Sequence, residues 1–185
     1  MIISKETLNG VKVLEPKVHM DSRGFFLESY SKNSFNELGI DIDFVQDNHS
    51  LSVDIGVIRG LHYQLNPKAQ AKLVRVISGS IFDVVVDIRR GSPTFGKWEG
   101  FHLSADNKRQ LFVPSGFAHG FCTTSVNTEV VYKVNEYYSP EYDRGISWND
   151  PALAISWPAE HPVLSDKDKR HPQLSEAEFN FYYEG

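Results

Sequence analysis

The chain has 185 residues, 41% hydrophobic and 23% charged, enough apolar side chain for one packed domain over residues 1–185 and too much for a disordered chain. Nineteen basic against 24 acidic residues leave a net charge of −5, which argues against a general nucleic-acid binder. Cys122 is the only cysteine, so an intrachain disulfide and a cysteine-rich zinc site are excluded, and no apolar run is long enough to span a membrane.

The N-terminus, Met1 to Thr7, carries no apolar leader segment, so a cytoplasmic protein is expected. Residues 11–15 read as a first strand, and Asp21 to Gly24 as a turn into Phe25–Tyr30. Alternation there places Phe26, Glu28 and Tyr30 on one face. Either this is an edge strand with a solvated Glu28, or Arg23 and Glu28 reach a polar ligand with Phe26 as an apolar wall. Ser31 to Leu38 is a short helix, capped by Ser31 or Asn33 and stopped by Gly39. Residues 44–50 begin as a strand and then run Gln46-Asp47-Asn48-His49-Ser50. That run is either a turn or a set of amides suited to a nucleobase or sugar edge.

Gly56 to Gln64 has the content of a strand, yet carries Arg59, His62 and Gln64. Period two separates Arg59 from His62: either this is a strand with a satisfied core histidine and a surface arginine, or a bulge at Gly60 re-aims Arg59 toward the side of His62. Ala71 to Ile77 is a strand that places Lys72 in phase with Val74 and Val76. This lysine either looks into the interior or snorkels to water. Ile81 to Ile88 is a strongly apolar strand holding Asp83, either a buried hydrogen-bonded acid or a site residue. Strands follow at Trp98–Leu103, Gln110–Val113 and Glu129–Val134, and His119 sits between glycine and aromatic neighbours before Cys122, a small core residue. From Ser139 the chain is loop-rich, Leu164 to Arg170 reads as a solvated turn, and Ser175 to Phe181 as one or two helical turns. At least about eight short strands between Gly, Pro and Asn turns argue for an all-β sandwich or barrel, whose mouth is a common ligand cavity.

A metal site in such a fold would take clustered histidines. His62 has glycine and glutamine at positions 60 and 64, and His49, His62, His102 and His119 stand isolated in the sequence, so no metal is expected. Histidine, tyrosine and lysine together suit removal of a proton beside a carbonyl. The histidine acts as base, the tyrosine as acid, and the lysine stabilises the oxyanion.

The segments Arg23–Glu28, Gln46–Ser50, Gly56–Gln64, Lys72–Val76, Asp83–Arg89, Pro114–Phe121, Tyr132-Lys133, Trp148–Pro151 and Leu164–Asp168 together resemble the dTDP-4-dehydrorhamnose 3,5-epimerases. The resemblance runs through nearly the whole chain in order. It implies an all-β, cupin-type jelly roll (a double-stranded β-helix barrel) with a few short helices. It also implies an isomerase that uses neither metal nor cofactor and works as a homodimer. His62 would be the catalytic base and Tyr132 the acid, while Lys72 would stabilise the enolate oxygen at C4. Asp168 would orient His62, with Asp166 and Asp83 as alternatives. Arg23, Glu28, Gln46, Asn48, Arg59, His119, Asp143 and Lys167 would line the nucleotide-sugar site, and Tyr138 would stack on the thymine. Asp143 stands where the family pattern has glutamate. Arg23 and Glu28 would cross the dimer on exchanged N-terminal strands.

The reaction so implied inverts C3 and C5 of dTDP-4-dehydro-6-deoxy-D-glucose to give dTDP-4-dehydro-L-rhamnose, on the way to dTDP-L-rhamnose. The motifs do not separate it from inversion of a single centre in a related dTDP-4-keto-deoxysugar. A non-catalytic nucleotide-sugar binding module is the rival of another class, and a metal-dependent cupin oxygenase a third.

Overall fold

Side-chain alternation sets the architecture, because each strand sends every second residue inward. The computed structural model describes residues 1–184. In chain order the strands are β1 (Ile2–Thr7), β2 (Val11–Glu15), β3 (Val18–Asp21), β4 (Gly24–Leu27), β5 (Gln46–Ser52), β6 (Ile58–Gln64) and β7 (Lys72–Ser78). They continue with β8 (Ser80–Asp87), β9 (Trp98–Ser104), β10 (Gln110–Val113), β11 (Phe117–Thr123), β12 (Thr128–Val134) and β13 (Asp143–Gly145). The one α-helix among the described residues, α1 (Lys32–Glu37), precedes β5, and a 3-10 helix spans Asp168–Arg170.

Two antiparallel sheets, ordered β1-β2-β10-β7-β12-β5 and β13-β6-β11-β8-β9, make up the jelly roll. Between them Val13, Val74, Val76, Val85, Leu111, Phe121 and Val130 form the central core. The second sheet's outer face is buried too: Leu61, Tyr63, Val84 and Val86 lie under Leu153, Trp157, Phe179 and Phe181 from the C-terminal segment. That double burial is why β8 reads as a nearly continuous apolar run. On the outside of the first sheet, Phe35 and Ile40 pack on Leu14, Leu73 and Phe112. Here α1 is capped by the Ser31 side chain, which accepts from the Ser34 N–H.

The expected bulge is present. His62 pairs with His119 and Arg59 with Phe121, so one extra residue of β6 is accommodated opposite Gly120. Glycine is required on both sides of this crossing. A Cβ on Gly60 would stand 2.5 Å from the Gly120 Cα, and one on Gly120 2.8 Å from the Arg59 carbonyl oxygen. Arg59 and His62 therefore share the inner side, while Leu61 and Tyr63 turn outward.

Several elements differ from the sequence expectation. The polar run from Gln46 is a strand rather than a turn. Strand β4 ends at Leu27, so Phe26, Glu28 and Tyr30 do not share a strand face. Tyr30 instead packs edge-on against Phe35 and Phe44. No helix forms at Ser175–Phe181. That stretch is held open by tertiary bonds: the Glu178 carbonyl accepts from Tyr63 OH at 2.7 Å, and Asn180 bonds Asn66 on both sides.

Candidate active site

A cavity of about 420 Å³ opens where β5, β6, β7, β11 and β12 meet the segment from Val163 to Asp168. Seven residues singled out in the sequence line it: Arg59, His62, Lys72, His119, Tyr132, Lys167 and Asp168. Lys72 and Tyr132 arrive by strand phase, Arg59 by the bulge in β6, and Lys167 and Asp168 on the turn leading into the 3-10 helix. Lys72 shares its face with buried Val74 and Val76, and Tyr132 shares its face with buried Val130 and Val134.

His62 Nε2 lies 2.6 Å from Asp168 Oδ1, and the Asp168 side chain is only 5% exposed. Asp168 opens the 3-10 helix, and its N–H donates to Ser165 Oγ at 3.1 Å. Of the three acids considered for this role, Asp83 is taken by His119, whose Nε2 stands 2.9 Å and 3.0 Å from its two oxygens. Asp166 is exposed and faces Lys169. The charged run at 164–170 is thus more than a solvated turn, since it delivers a buried carboxylate to β6.

Burial would raise the Asp168 carboxyl, but the imidazoles of His171 and His62 outweigh it and hold it well below the carboxylate range. Burial likewise lowers the His62 imidazolium below its ordinary 6.5, with Lys72 and Lys167 adding to the effect and Asp168 only partly opposing it. The neutral ring then donates from Nε2 to Asp168, which leaves the Nδ1 lone pair free. Burial pushes Lys72 down to about 8, while Asp83 and Asp143 pull it back up. Its Nζ donates to the His62 carbonyl at 3.4 Å. Burial raises the Tyr132 phenol, so it keeps its proton. Cavity and side chains together provide a ring that accepts a proton, a phenol that gives one and a buried ammonium.

Beside the cavity runs a second chain of bonds. Gln46 Nε2 donates to Asn48 Oδ1 at 2.9 Å, the Tyr138 N–H donates to Gln46 Oε1 at 3.1 Å, and Tyr138 OH donates to Asp143 Oδ2 at 3.0 Å. Lys167 Nζ reaches the same Asp143 oxygen, which joins this rim to the cavity. Arg59 is fixed by donating to Ser52 Oγ at 3.1 Å and to the Leu51 carbonyl at 3.0 Å.

Arg23, Phe26 and Glu28 are not brought to this cavity within the single chain. They belong to the β3–β4 hairpin and the segment just after it. Arg23 is held by Asp21 with its side chain 88% exposed, Phe26 is 71% exposed, and Glu28 accepts from Ser34 Oγ.

One neighbour was missed. The histidines are not all isolated, because His171 Nε2 stands 3.5 Å from Asp168 Oδ1 and its ring meets that of His62 edge-on at 5.4 Å. The signal was the Asp168-x-x-His171 spacing, since residues three apart eclipse in a 3-10 turn.

Fold and site together define a jelly-roll protein with an acid–base cavity. A family model for dTDP-4-dehydrorhamnose 3,5-epimerase matches residues 5–176. The protein of that name from Shigella flexneri is 53% identical over 180 residues, 97% of this chain and 99% of its own. A crystal structure of the Bacillus anthracis dTDP-4-dehydrorhamnose 3,5-epimerase, with TDP and PPi bound, is 55% identical and superposes with a TM-score of 0.92 over 93% of this chain and 98% of that one. The Legionella pneumophila dTDP-6-deoxy-D-glucose-3,5-epimerase, in complex with dTDP-4-keto-L-rhamnose, is 50% identical with a TM-score of 0.86 over 90% and 88%. The chain belongs to the dTDP-4-dehydrorhamnose 3,5-epimerase family.

The lysine environment is open to direct titration. In protein labelled at lysine Cε, one resonance is expected to titrate near pH 8 and to vanish in Lys72→Arg. The folded state then binds this proton less tightly than the unfolded chain does, so the shift favours folding increasingly as pH rises from about 8 toward 10.5. Lysine resonances that all titrate at or above 10.5 would contradict the buried placement.

Proposed function

We propose that the chain is an isomerase that inverts C3 and C5 of dTDP-4-dehydro-6-deoxy-D-glucose, giving dTDP-4-dehydro-L-rhamnose for dTDP-L-rhamnose biosynthesis. The observation that carries the reading is that His62, Tyr132 and Lys72 line one cavity, with His62 bonded to buried Asp168. Family membership and the nucleotide and sugar ligands in the related crystal structures support the substrate. Binding alone would not need this set.

The 4-keto group acidifies the hydrogens on both neighbouring carbons, so a single enolate chemistry serves C3 and C5. His62 Nδ1 removes a proton, and Asp168 stabilises the imidazolium that forms. The Lys72 ammonium stabilises the oxygen at C4, and its low-dielectric setting strengthens that effect. Tyr132 gives a proton from the opposite face, which inverts the centre. The carbonyl itself is the electron sink, so the mechanism calls for no metal or organic cofactor. Arg59, His119 and Lys167 hold the diphosphate and sugar, since guanidinium and ammonium suit phosphate. Gln46, Asn48, Asp143 and Tyr138 take the nucleoside end, with Tyr138 stacked on the thymine.

Arg23, Phe26 and Glu28 complete the site of a second copy in a homodimer with exchanged N-terminal strands. The support is a hairpin that pairs only with itself and exposes Met20, Phe25 and Phe26, an apolar patch that a partner would cover.

Reaction with dTDP-4-dehydro-6-deoxyglucose in heavy water, followed by proton NMR, tests the function. Inverted product carrying deuterium at both C3 and C5 is expected, and deuterium or inversion at one centre only would favour the single-centre alternative. His62→Ala should lose both exchange and inversion. Tyr132→Phe should retain exchange, because His62 can return a solvent deuteron to the original face, while product formation falls by ~10²-fold or more. Normal inversion in Tyr132→Phe, or normal exchange in His62→Ala, would refute the roles.

Subunit mixing tests the exchange. Arg23→Ala and His62→Ala chains, each inactive alone, should regain activity when denatured and refolded together. The mixed dimer then holds one intact site, and random pairing restores roughly a quarter of the sites. No recovery would mean that Arg23 serves its own chain.

A further inference from the structure

We propose that His62, Asp168 and His171 form a binding site for a divalent transition cation of the zinc type, and that filling it switches the catalytic base off. Each of the three residues offers a ligand atom, and these atoms lie within 4.8 Å of one another. His171 Nε2 makes the case beyond mere proximity. Its side chain is only 10% exposed, and this buried nitrogen makes no hydrogen bond of normal geometry, with Asp168 Oδ1 standing 3.5 Å away. A buried polar atom of this kind ordinarily finds a partner. His171 is also seated deliberately. Gly145 pairs with His62 across β13 and β6, and a Cβ there would come within 2.5 Å of the His171 ring. Only a glycine leaves room for the ring beside Asp168.

The donor set selects the ion. Two imidazole nitrogens and one carboxylate oxygen suit zinc and its neighbours, whereas magnesium and calcium prefer oxygen throughout. Three protein ligands with an open side toward a cavity also match the usual layout of an accessible zinc site. Zinc bonds of about 2.0–2.2 Å place ligand atoms about 3.3 Å apart. The separation of 3.5 Å between His171 Nε2 and Asp168 Oδ1 already fits. The 2.6 Å hydrogen bond between His62 and Asp168 must open slightly, as it does when the shared proton leaves.

Loss of activity follows from the tautomer and rests on the proposed epimerase reading. A cation on His62 Nε2 displaces the proton held there, and the neutral ring carries it on Nδ1 instead. Nδ1 is the atom that would take the proton from the sugar, so the filled site has no base. The ion is therefore an inhibitor of a reaction that proceeds without metal.

The test titrates zinc chloride into chelator-stripped protein without substrate, by calorimetry and by elemental analysis after dialysis. One zinc per chain is expected, with magnesium chloride giving no binding. His171→Leu and His171→Gln should bind zinc at least ~10-fold more weakly. His49→Ala, at the exposed His49–Glu129 pair, should bind as wild type does. Cobalt chloride should give tetrahedral d–d absorption with the wild-type protein, a readout that needs no variant. Absence of stoichiometric zinc binding, absence of those bands, or equal zinc affinity in folded His171 variants would overturn the site. Zinc should abolish turnover and a chelator should restore it. Full activity with zinc bound would overturn the switch, whereas zinc binding by a protein without epimerase activity would leave the site standing and remove the proposed function.

Discussion

The hydrogen bond between His62 and Asp168 is the constraint on which the rest of the site depends. It joins residues 106 apart in sequence and fixes which nitrogen of the ring is free. Several costly features serve it. The Gly60–Gly120 crossing admits the extra residue that turns Arg59 to the same side as His62. The 3-10 helix drives a carboxylate into a place where an unpaired charge would be strongly disfavoured. The loop-rich segment from Ser139, which adds only β13 to the sheets, is tied to β9 by the Trp98 indole donating to the Leu153 carbonyl and braced within itself by Trp157 donating to the Trp148 carbonyl. Its ordering is what carries Asp168 to β6.

The interior divides into an apolar part and a polar part on the same strands. On β8, Ile81 and Val85 face the core while Asp83, between them in phase, meets His119 from β11. On β7 the strand begins with Lys72 and continues with Val74 and Val76. The ionisable groups buried at the cavity each stand beside a partner or an opposite charge, His62 by Asp168, His119 by Asp83 and Lys72 near Asp83 and Asp143. The low dielectric that makes such groups expensive also shifts them usefully. It weakens proton binding at His62 and Lys72 and strengthens it at Tyr132. A ring ready to accept, a phenol ready to give and a cation beside them come from one physical cause.

Much of this is legible in the sequence. Period-two patterning leaves Lys72 open between the interior and the surface and marks Gly60 as a place for a bulge, and the Gly, Pro and Asn turns delimit most strands from β6 to β12. Family resemblance supplied what patterning could not, namely the pairing of His62 with an acid more than a hundred residues away. Local reasoning failed where tertiary bonds decide. The run from Gln46 to Ser50 reads as open between a turn and a set of ligand-facing amides, and it is a strand whose Ser50 borders the polar cavity. Ser175 to Phe181 reads as one or two helical turns, yet backbone and side-chain bonds at Glu178 and Asn180 hold the segment open. His171 was overlooked because its partner lies on a turn read as solvated.

The most direct measurement of the central claim is the tautomer of His62. Long-range nitrogen–proton NMR on histidine-labelled protein, assigned through the loss of one ring in His62→Gln, reports the protonation of each ring nitrogen separately. The structure predicts a neutral ring at neutral pH with the proton on Nε2 and a bare Nδ1, and a mixture of tautomers once Asp168→Asn removes the carboxylate. A proton resident on Nδ1, or a ring whose tautomer is indifferent to Asp168, would contradict it.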